Sequence, residues 1–328
     1  MPLLSFSIWL PIFAGILLLA FGSDRYVGAV RWFALLAAIL SFLVTIPLVT
    51  GFDLTSAAPQ FAERHAWIAR FNVWYQLSVD GLSVWFVLLT AFTTVIVVVA
   101  AWRVITERVN QYMAAFLILS GLLVGVFAAM DGLLFYVFFE ATLIPMYLII
   151  GVWGGPRRVY AAFKFFLYTL AGSLLMLVAL IYLYYKSGGS FDILAWHRLP
   201  LSLEAQGLLF FAFFFAFAVK VPMWPVHTWL PDAHAEGPTP ISAVLSGLLL
   251  NVALYAVLRC KVLTDGALHS ALASQLMIAF GLLSVVVASF FLSRQRDVKR
   301  MFAYSSIEHM GLITFAFGLG GPIANYAG

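Results

Sequence analysis

The sequence predicts an all-α, polytopic membrane protein, a bundle of transmembrane helices of which one is broken. Three observations carry that reading. Of 328 residues, 64% are hydrophobic and only 10% are charged, and the apolar residues fall in runs of about 20. Soluble domains carry about 25% charged residues. An apolar run of that length crosses a bilayer as a helix, because a helix satisfies its backbone polar groups internally. The net charge of +4 comes from basic residues in short connections, and this pattern does not point to nucleic acid. The single cysteine, Cys260, excludes an internal disulfide framework and a cysteine-ligated cluster or zinc ribbon.

Ten runs are read along the chain, at 3–22, 28–50, 79–102, 112–130, 132–154, 160–185, 207–233, 239–260, 270–292 and 301–320. The first has no basic segment before it, so it reads as a retained helix and not as a cleaved signal. Between the second and third lies the longest connection, Gly51–Ser78, with Pro59, Glu63 and Arg64. Its Trp67, Trp74 and Tyr75 suit a membrane interface. The fourth run carries Gly121 and Gly125, which suit close helix packing. Pro145 stands five residues after Glu140 in the fifth and either loosens that helix or makes a tolerated kink. Ser187–Gln206 is the second long connection. The seventh run is broken, as Lys220 is followed by Pro222 and Pro225, and proline removes a backbone donor and clashes with the preceding turn. With the N-terminus outside, 11 Lys and Arg fall on the inner side and 6 on the outer. The positive-inside rule therefore places the N-terminus, and Gly328, outside.

Most charged residues fall in connections or at helix ends, but Glu140, Lys220 and Glu308 do not. Glu140 lies eight residues into its run. That is about 12 Å of helix, near the middle of a core about 30 Å thick. A lone charge there costs about 2.5–3.5 kcal/mol on insertion scales, and such residues mostly mark transport paths. An acid and an amine of variable separation make a proton switch, because burial disfavours charge and proximity favours it. The alternative is a static buried ion pair. Among the histidines, His65, His197 and His269 sit in connections and receive no role. His227, His234 and His309 sit in or beside apolar runs, where a histidine serves either as a proton relay or as a hydrogen-bonded packing residue. They form no tight ligand cluster, and no phosphate loop or haem-attachment motif is present.

Two long stretches carry a resemblance. FYVFFEATLIPMYLIIGVWGGPRRVYAAFKFFLYTLAGSLLMLVALIYLY (Phe135–Tyr184) and FAVKVPMWPVHTWLPDAHAE (Phe217–Glu236) resemble subunit M of bacterial NADH–quinone oxidoreductase, the counterpart of mitochondrial subunit 4 of complex I. These are antiporter-like, proton-translocating membrane subunits. The resemblance runs from Met1 to about Glu236. It implies that Glu140 and Lys220 transfer protons. It also implies that His227 supports a hydrated path, along which Asn251 can hydrogen-bond to water, and that His309, in an SxxHMG pattern, leads away from it. Pro222 and Pro225 make the break. It further implies no redox centre and no cofactor. The implied partners are neighbouring antiporter-like subunits of one complex in a bacterial inner membrane.

Two departures accompany the resemblance. After Gly237 the chain is more similar to the related antiporter-like membrane protein of hydrogenase-4 type complexes, with Asn251 where subunit M carries a lysine and with an acid at Glu308. The family fold also has two inverted repeats. Here the segments read as 1–111 (helices 1–3), 112–261 (the first repeat) and 262–328 (the start of a second), so a C-terminally incomplete chain is expected. The rival readings are a membrane subunit of a hydrogenase-4/formate hydrogenlyase or multisubunit sodium/proton antiporter complex, and a non-conducting structural subunit.

Overall fold

The computed structural model describes residues 2–56, 58–196, 198–265 and 272–321. His197, His269 and Gly328 lie outside them. The helices in chain order are α1 (Leu3–Phe21), α2 (Val27–Thr50), α3 (Ser83–Val104), α4 (Val109–Ala128), α5 (Gly132–Ala141), α6 (Leu143–Trp153) and α7 (Arg158–Lys186). They continue with α8 (Ile193–Trp196), α9 (Leu203–Lys220), α10 (Trp229–Glu236), α11 (Thr239–Val244), a π-helical turn (Leu245–Leu249), α12 (Leu250–Asp265), α13 (Leu272–Leu292) and α14 (Val298–Leu319). Nine stretches among the described residues are long and apolar enough to cross a membrane. The tenth run became α14, which has the length. It carries Lys299, Arg300, Glu308 and His309, and it falls short in apolar character.

The chain forms two compact units. The first comprises Met1–Trp153, Gly189–Ile193 and Pro238–Val244. Its centre is α4, buried on nearly every face, against which α1, α2, α3, α5 and α6 pack. Gly121 permits the α1–α4 approach, since a Cβ there would lie 2.3 Å from the Ile8 carbonyl oxygen. The glycines of α4 thus serve close packing, as the sequence suggests.

The long connection Gly51–Ser78 is not plain loop. It folds into an antiparallel hairpin, β1 (Gln60–Ile68) and β2 (Val73–Val79), with Glu63 opposite Leu77 and His65 opposite Tyr75. Its alternation of apolar and polar residues is too irregular to announce strands. The hairpin closes the start of α1, where Pro2 offers no side-chain cap. The Glu63 carboxylate instead accepts the Leu4 N–H at 2.8 Å and the Ser5 N–H at 3.2 Å. A carboxylate at a helix N-terminus satisfies orphan donors and meets the positive end of the helix dipole.

Asp131 does comparable work between α4 and α5. It is buried, and its Oδ1 accepts the N–H groups of Leu133 and Leu134 at 3.0 and 3.1 Å, capping α5. Its Oδ2 accepts the Trp74 N–H of β2 at 3.1 Å. Burial raises its pKa above the ordinary carboxylate range, although these three donors oppose the shift. Beyond the cap, α5 and α6 are interrupted at Thr142, just after Glu140. Pro145 has no N–H for the Ala141 carbonyl, so of the two sequence readings the loosened helix holds.

The second unit comprises Gly154–Gly188, Leu194–Gly237 and Leu245–Gly328. Within it α9 lies against α7 and α12, α10 against α7 and α14, and α13 along α14.

Asp131→Ala should destabilise the protein by about 1–3 kcal/mol, since it removes a helix cap and leaves buried donors unpaired. Asp131→Asn should cost less, because its amide oxygen still caps α5. Thermal unfolding in detergent micelles orders the two variants; equal midpoints would contradict the capping role.

Candidate functional site

The second unit holds the broken helix, and its backbone can be followed group by group. Pro222 has no N–H for the Ala218 carbonyl, so α9 ends at Lys220. The Met223 N–H takes that carbonyl instead, at 2.8 Å. The next carbonyl, that of Val219, accepts the Trp229 indole N–H at 2.7 Å. The Trp224 N–H donates to the Ser284 hydroxyl of α13 at 2.9 Å. The Thr228 hydroxyl donates to that of Tyr168 on α7 at 3.1 Å. The Phe165 ring of α7 lies 5.2 Å from that of Trp229. Eight residues without helix are thereby held among α7, α13 and the start of α10. Non-helical backbone at membrane depth is tolerated where protein supplies such partners.

Lys220 closes α9 and is 1% exposed, among the largest fully buried side chains. His227 follows in the break and is also buried. Its ring faces those of Phe291 and Tyr304, each at 6.4 Å, and its Nδ1 has no hydrogen-bond partner. Asn251 lies two residues beyond the π-helical turn, and its amide donates to the Gly247 carbonyl at 2.7 Å. A π turn displaces the regular backbone bonds, and the side chain takes up one of the carbonyls. Glu140 stands in the first unit, half-buried near the end of α5. On α14, His309 is exposed, and its Nδ1 lies 2.7 Å from the Ser305 carbonyl of its own helix. Glu308 accepts the Ser289 hydroxyl of α13 at 3.0 Å. Lys220 and His227 thus share one unit with Asn251, while His309 turns back onto its own helix.

The structure adds a polar cluster on α10 whose members the sequence does not connect. Asp232 accepts the Lys164 ammonium of α7 at 2.7 Å and the Arg300 guanidinium of α14 at 3.1 Å. Lys299 donates to the Gly237 carbonyl at 2.9 Å. Glu236 accepts the Arg157 N–H at 2.9 Å, and its own carbonyl accepts the Gly155 N–H at 2.7 Å. Amid these charges His234 is 1% exposed, and neither ring nitrogen has a hydrogen-bond partner. Asp232 stands 68 residues from each of its two cations, so no local pattern predicts the pairing. The one sequence signal is Asp297, which caps α14 through the Lys299 and Arg300 N–H groups and so sets where both cations emerge. Among the described residues no group of three His, Cys, Asp or Glu is placed to hold a metal ion.

Residues 129–327 match the protein family described as NADH:quinone oxidoreductase/Mrp antiporter, TM. The chain belongs to this family. Over 329 residues it is 45% identical to NADH-quinone oxidoreductase subunit M of Rhodobacter capsulatus, a match covering 95% of this chain and 63% of that protein. It is 41% identical over 285 residues to NADH-ubiquinone oxidoreductase chain 4 of Chondrus crispus, covering 87% of this chain and 58% of that one. The chain therefore spans about three fifths of the length of these relatives. Among solved structures it superposes on a chain of respiratory complex I from Thermus thermophilus with bound NADH. The TM-score is 0.85 at 33% identity, covering 99% of this chain and 66% of that one. A chain of the Mrp complex from Dietzia sp. DQ12-45-1b shares the fold, with a TM-score of 0.84 at 20% identity, covering 98% of this chain and 34% of that one. The broken helix, with Lys220 and His227, and the α10 cluster all lie within the residues that match the family.

Trp229→Phe keeps the ring against Phe165 but strands the buried Val219 carbonyl. It should cost about 1–3 kcal/mol, read as a lowered unfolding midpoint. A pH series tests His234, which lies beyond the membrane-crossing run of α9. Burial, and the Lys299 charge after it, hold its pKa down to about 4 from an ordinary 6.5. A depressed pKa contributes stability above the unfolded-state value, and that contribution is lost as pH falls toward the folded-state value. Between pH 6.5 and 4 the parent chain should therefore lose stability that His234→Gln does not lose. Parallel midpoint curves for the two would refute the assignment.

Proposed function

We propose that the chain serves as a proton-translocating membrane subunit of NADH–quinone oxidoreductase, coupling quinone reduction to proton transfer across the membrane. The observation that carries this reading is Lys220, a fully buried amine at the end of a helix broken in mid-run, with His227 next along the break. Such a group is costly in an apolar setting and marks an ion path. The likeness to subunit M relatives over nearly the whole chain supports the same reading.

In this mechanism Lys220 carries the proton, and Glu140 tunes its proton affinity. His227 and Asn251 support the hydrated path near Lys220. Asn251 orients water but neither takes nor gives a proton at physiological pH. His309 leads the proton onward. The N-terminus lies on the outer side, by the Lys and Arg count, so α10 and its cluster face inward. Residues 112–261 form the first of two inverted repeats, with the second begun at 262. The chain itself has no redox centre, and the electron-transfer reaction belongs to partner subunits. The neighbours are other antiporter-like subunits in a bacterial inner membrane.

A second reading places the chain in a hydrogenase-4 type complex. Asn251 and Glu308, where subunit M ordinarily has a lysine and no acid, favour it. Neighbouring genes for quinone-reductase subunits would exclude that assignment.

Lys220→Ala and Glu140→Gln test the mechanism in the assembled complex, with proton uptake into inverted vesicles as the measurement. Lys220→Ala should reduce uptake to background, and Glu140→Gln should slow it. Pumping unchanged in both, with assembly preserved, would leave the chain a structural subunit.

A further inference from the structure

The proton path through Lys220 and His227 gives Ser284 of α13 no task, yet the break is tied to it. In a continuous helix the Trp224 N–H would go to the carbonyl four residues back, that of Lys220. Here it crosses to the Ser284 hydroxyl at 2.9 Å. Its neighbours stay within the segment. The Val221 N–H goes to the Phe217 carbonyl, that of Met223 to Ala218 and that of Val226 to Met223. The backbone of the break is therefore fastened to another helix at Trp224, between Lys220 and His227.

The hydroxyl is set up to accept. It has one proton, which it donates to the Phe280 carbonyl at 2.7 Å, leaving oxygen lone pairs for Trp224. A serine that only packs in a helix makes a turn-back bond of this kind and stops there. Ser284 is 1% exposed, so water does not compete for the second bond.

The helix that carries Ser284 presents two faces. Phe280, Ser284 and Phe291 recur after four and eleven residues, about one and three turns, and so share one face. That face follows the broken helix. The Phe280 ring lies 5.5 Å from that of Phe214 on α9, Ser284 holds Trp224, and the Phe291 ring lies 6.4 Å from that of His227. Gly281, Val285 and Ser289, each four residues apart, form the other face, against α14. A Cβ on Gly281 would lie 2.7 Å from the Phe315 nitrogen and 2.8 Å from the Gly311 carbonyl oxygen. One on Gly311 would lie 3.0 Å from the Val285 side chain. Ser289 donates to Glu308. The two backbones are thus in contact, and α13 joins α14, which bears Glu308 and His309, to the break between Lys220 and His227.

We propose that Ser284 is a positioning residue for proton transfer, through which the α13–α14 pair fixes where Lys220 and His227 stand. A displacement of α14 reaches the break because Gly281 leaves no slack between the helices and the hydroxyl leaves none at Trp224. Ser284 itself neither takes a proton from the path nor gives one to it.

This inference rests on the reading of Lys220 as the proton carrier, so Lys220→Met is measured beside it. The assay is NADH-driven proton uptake into inverted vesicles by the assembled complex. Uptake is scaled to NADH oxidation with an artificial electron acceptor, which counts assembled complex. Ser284→Ala should slow scaled uptake about fivefold or more, since misplacing a reacting group by about 1 Å can cost about a hundredfold. Ser284→Thr keeps the hydroxyl and should pump within about twofold of the parent. A serine that served folding alone would lower the amount of complex and leave the scaled rate unchanged. Gly281→Ala forces α13 and α14 apart and should also slow uptake. With the link already cut by Ser284→Ala it should add little, whereas independent effects would multiply. Parent-rate scaled uptake in Ser284→Ala overturns the proposal, as does Ser284→Thr as slow as Ser284→Ala, or slowing that multiplies in the double variant. Should Ser284→Ala fail to assemble, Ser284→Cys, with its weaker acceptor, decides, and parent-rate uptake there overturns the proposal. Full pumping by Lys220→Met would instead overturn the parent reading.

Discussion

A helix can stop inside an apolar layer only if the carbonyls it abandons find other donors. That constraint governs the second unit. Pro222 ends α9, and the lost bond to Ala218 is replaced by the Met223 N–H. The Val219 carbonyl is taken by an indole from the next helix. An unmet backbone group at such depth costs several kcal/mol, so each replacement is part of what lets the break exist. Trp229 has a double role, since the residue that satisfies the end of α9 also anchors the start of α10. The positions of Lys220, His227 and the α10 cluster all follow from that anchor.

The same constraint recurs in the first unit at helix starts. Pro2 cannot cap α1 through a side chain, and the carboxylate of Glu63 arrives from a hairpin instead. Asp131 caps α5 and at the same time fastens β2 through Trp74. In both places one acid joins a helix end to the β-hairpin. A chain with 14 Asp and Glu among 328 residues places them where several donors converge. Asp232, between two cations, repeats the economy with side-chain donors. Shared between Lys164 and Arg300, it ties α7, α10 and α14 together beside the break. A pair half out of solvent adds more orientation than stability, since desolvation offsets much of the attraction.

The helices and the break were legible because they rest on local chemistry. Apolar runs of bilayer length announce helices whatever surrounds them, and Pro222 and Pro145 interrupt theirs by lacking a donor. Lys220 and Glu140 stood out because a charge in an apolar run is visible in one dimension. The hairpin at Gln60–Val79 was not legible, since its strands lack clean alternation and one of its acids serves a distant helix. The charges of α14 stand in the sequence, yet its run was counted as a tenth span, and neither its apolar shortfall nor its role in the α10 cluster was read there.

Composition and residue order were enough to determine the class of molecule, where the backbone must cross or break, and which residues carry charge into apolar surroundings. These follow from length, apolar content and the missing N–H of proline. Which groups meet was decided only by packing. Trp229 reaches Val219 and Asp232 gathers Lys164 and Arg300, while His234 is left buried with both nitrogens unpartnered, although it reads in the sequence like any other histidine at a helix end. Hydrogen bonds and ion pairs act over a few ångströms, and residues 68 positions apart come within that range only when helices pack.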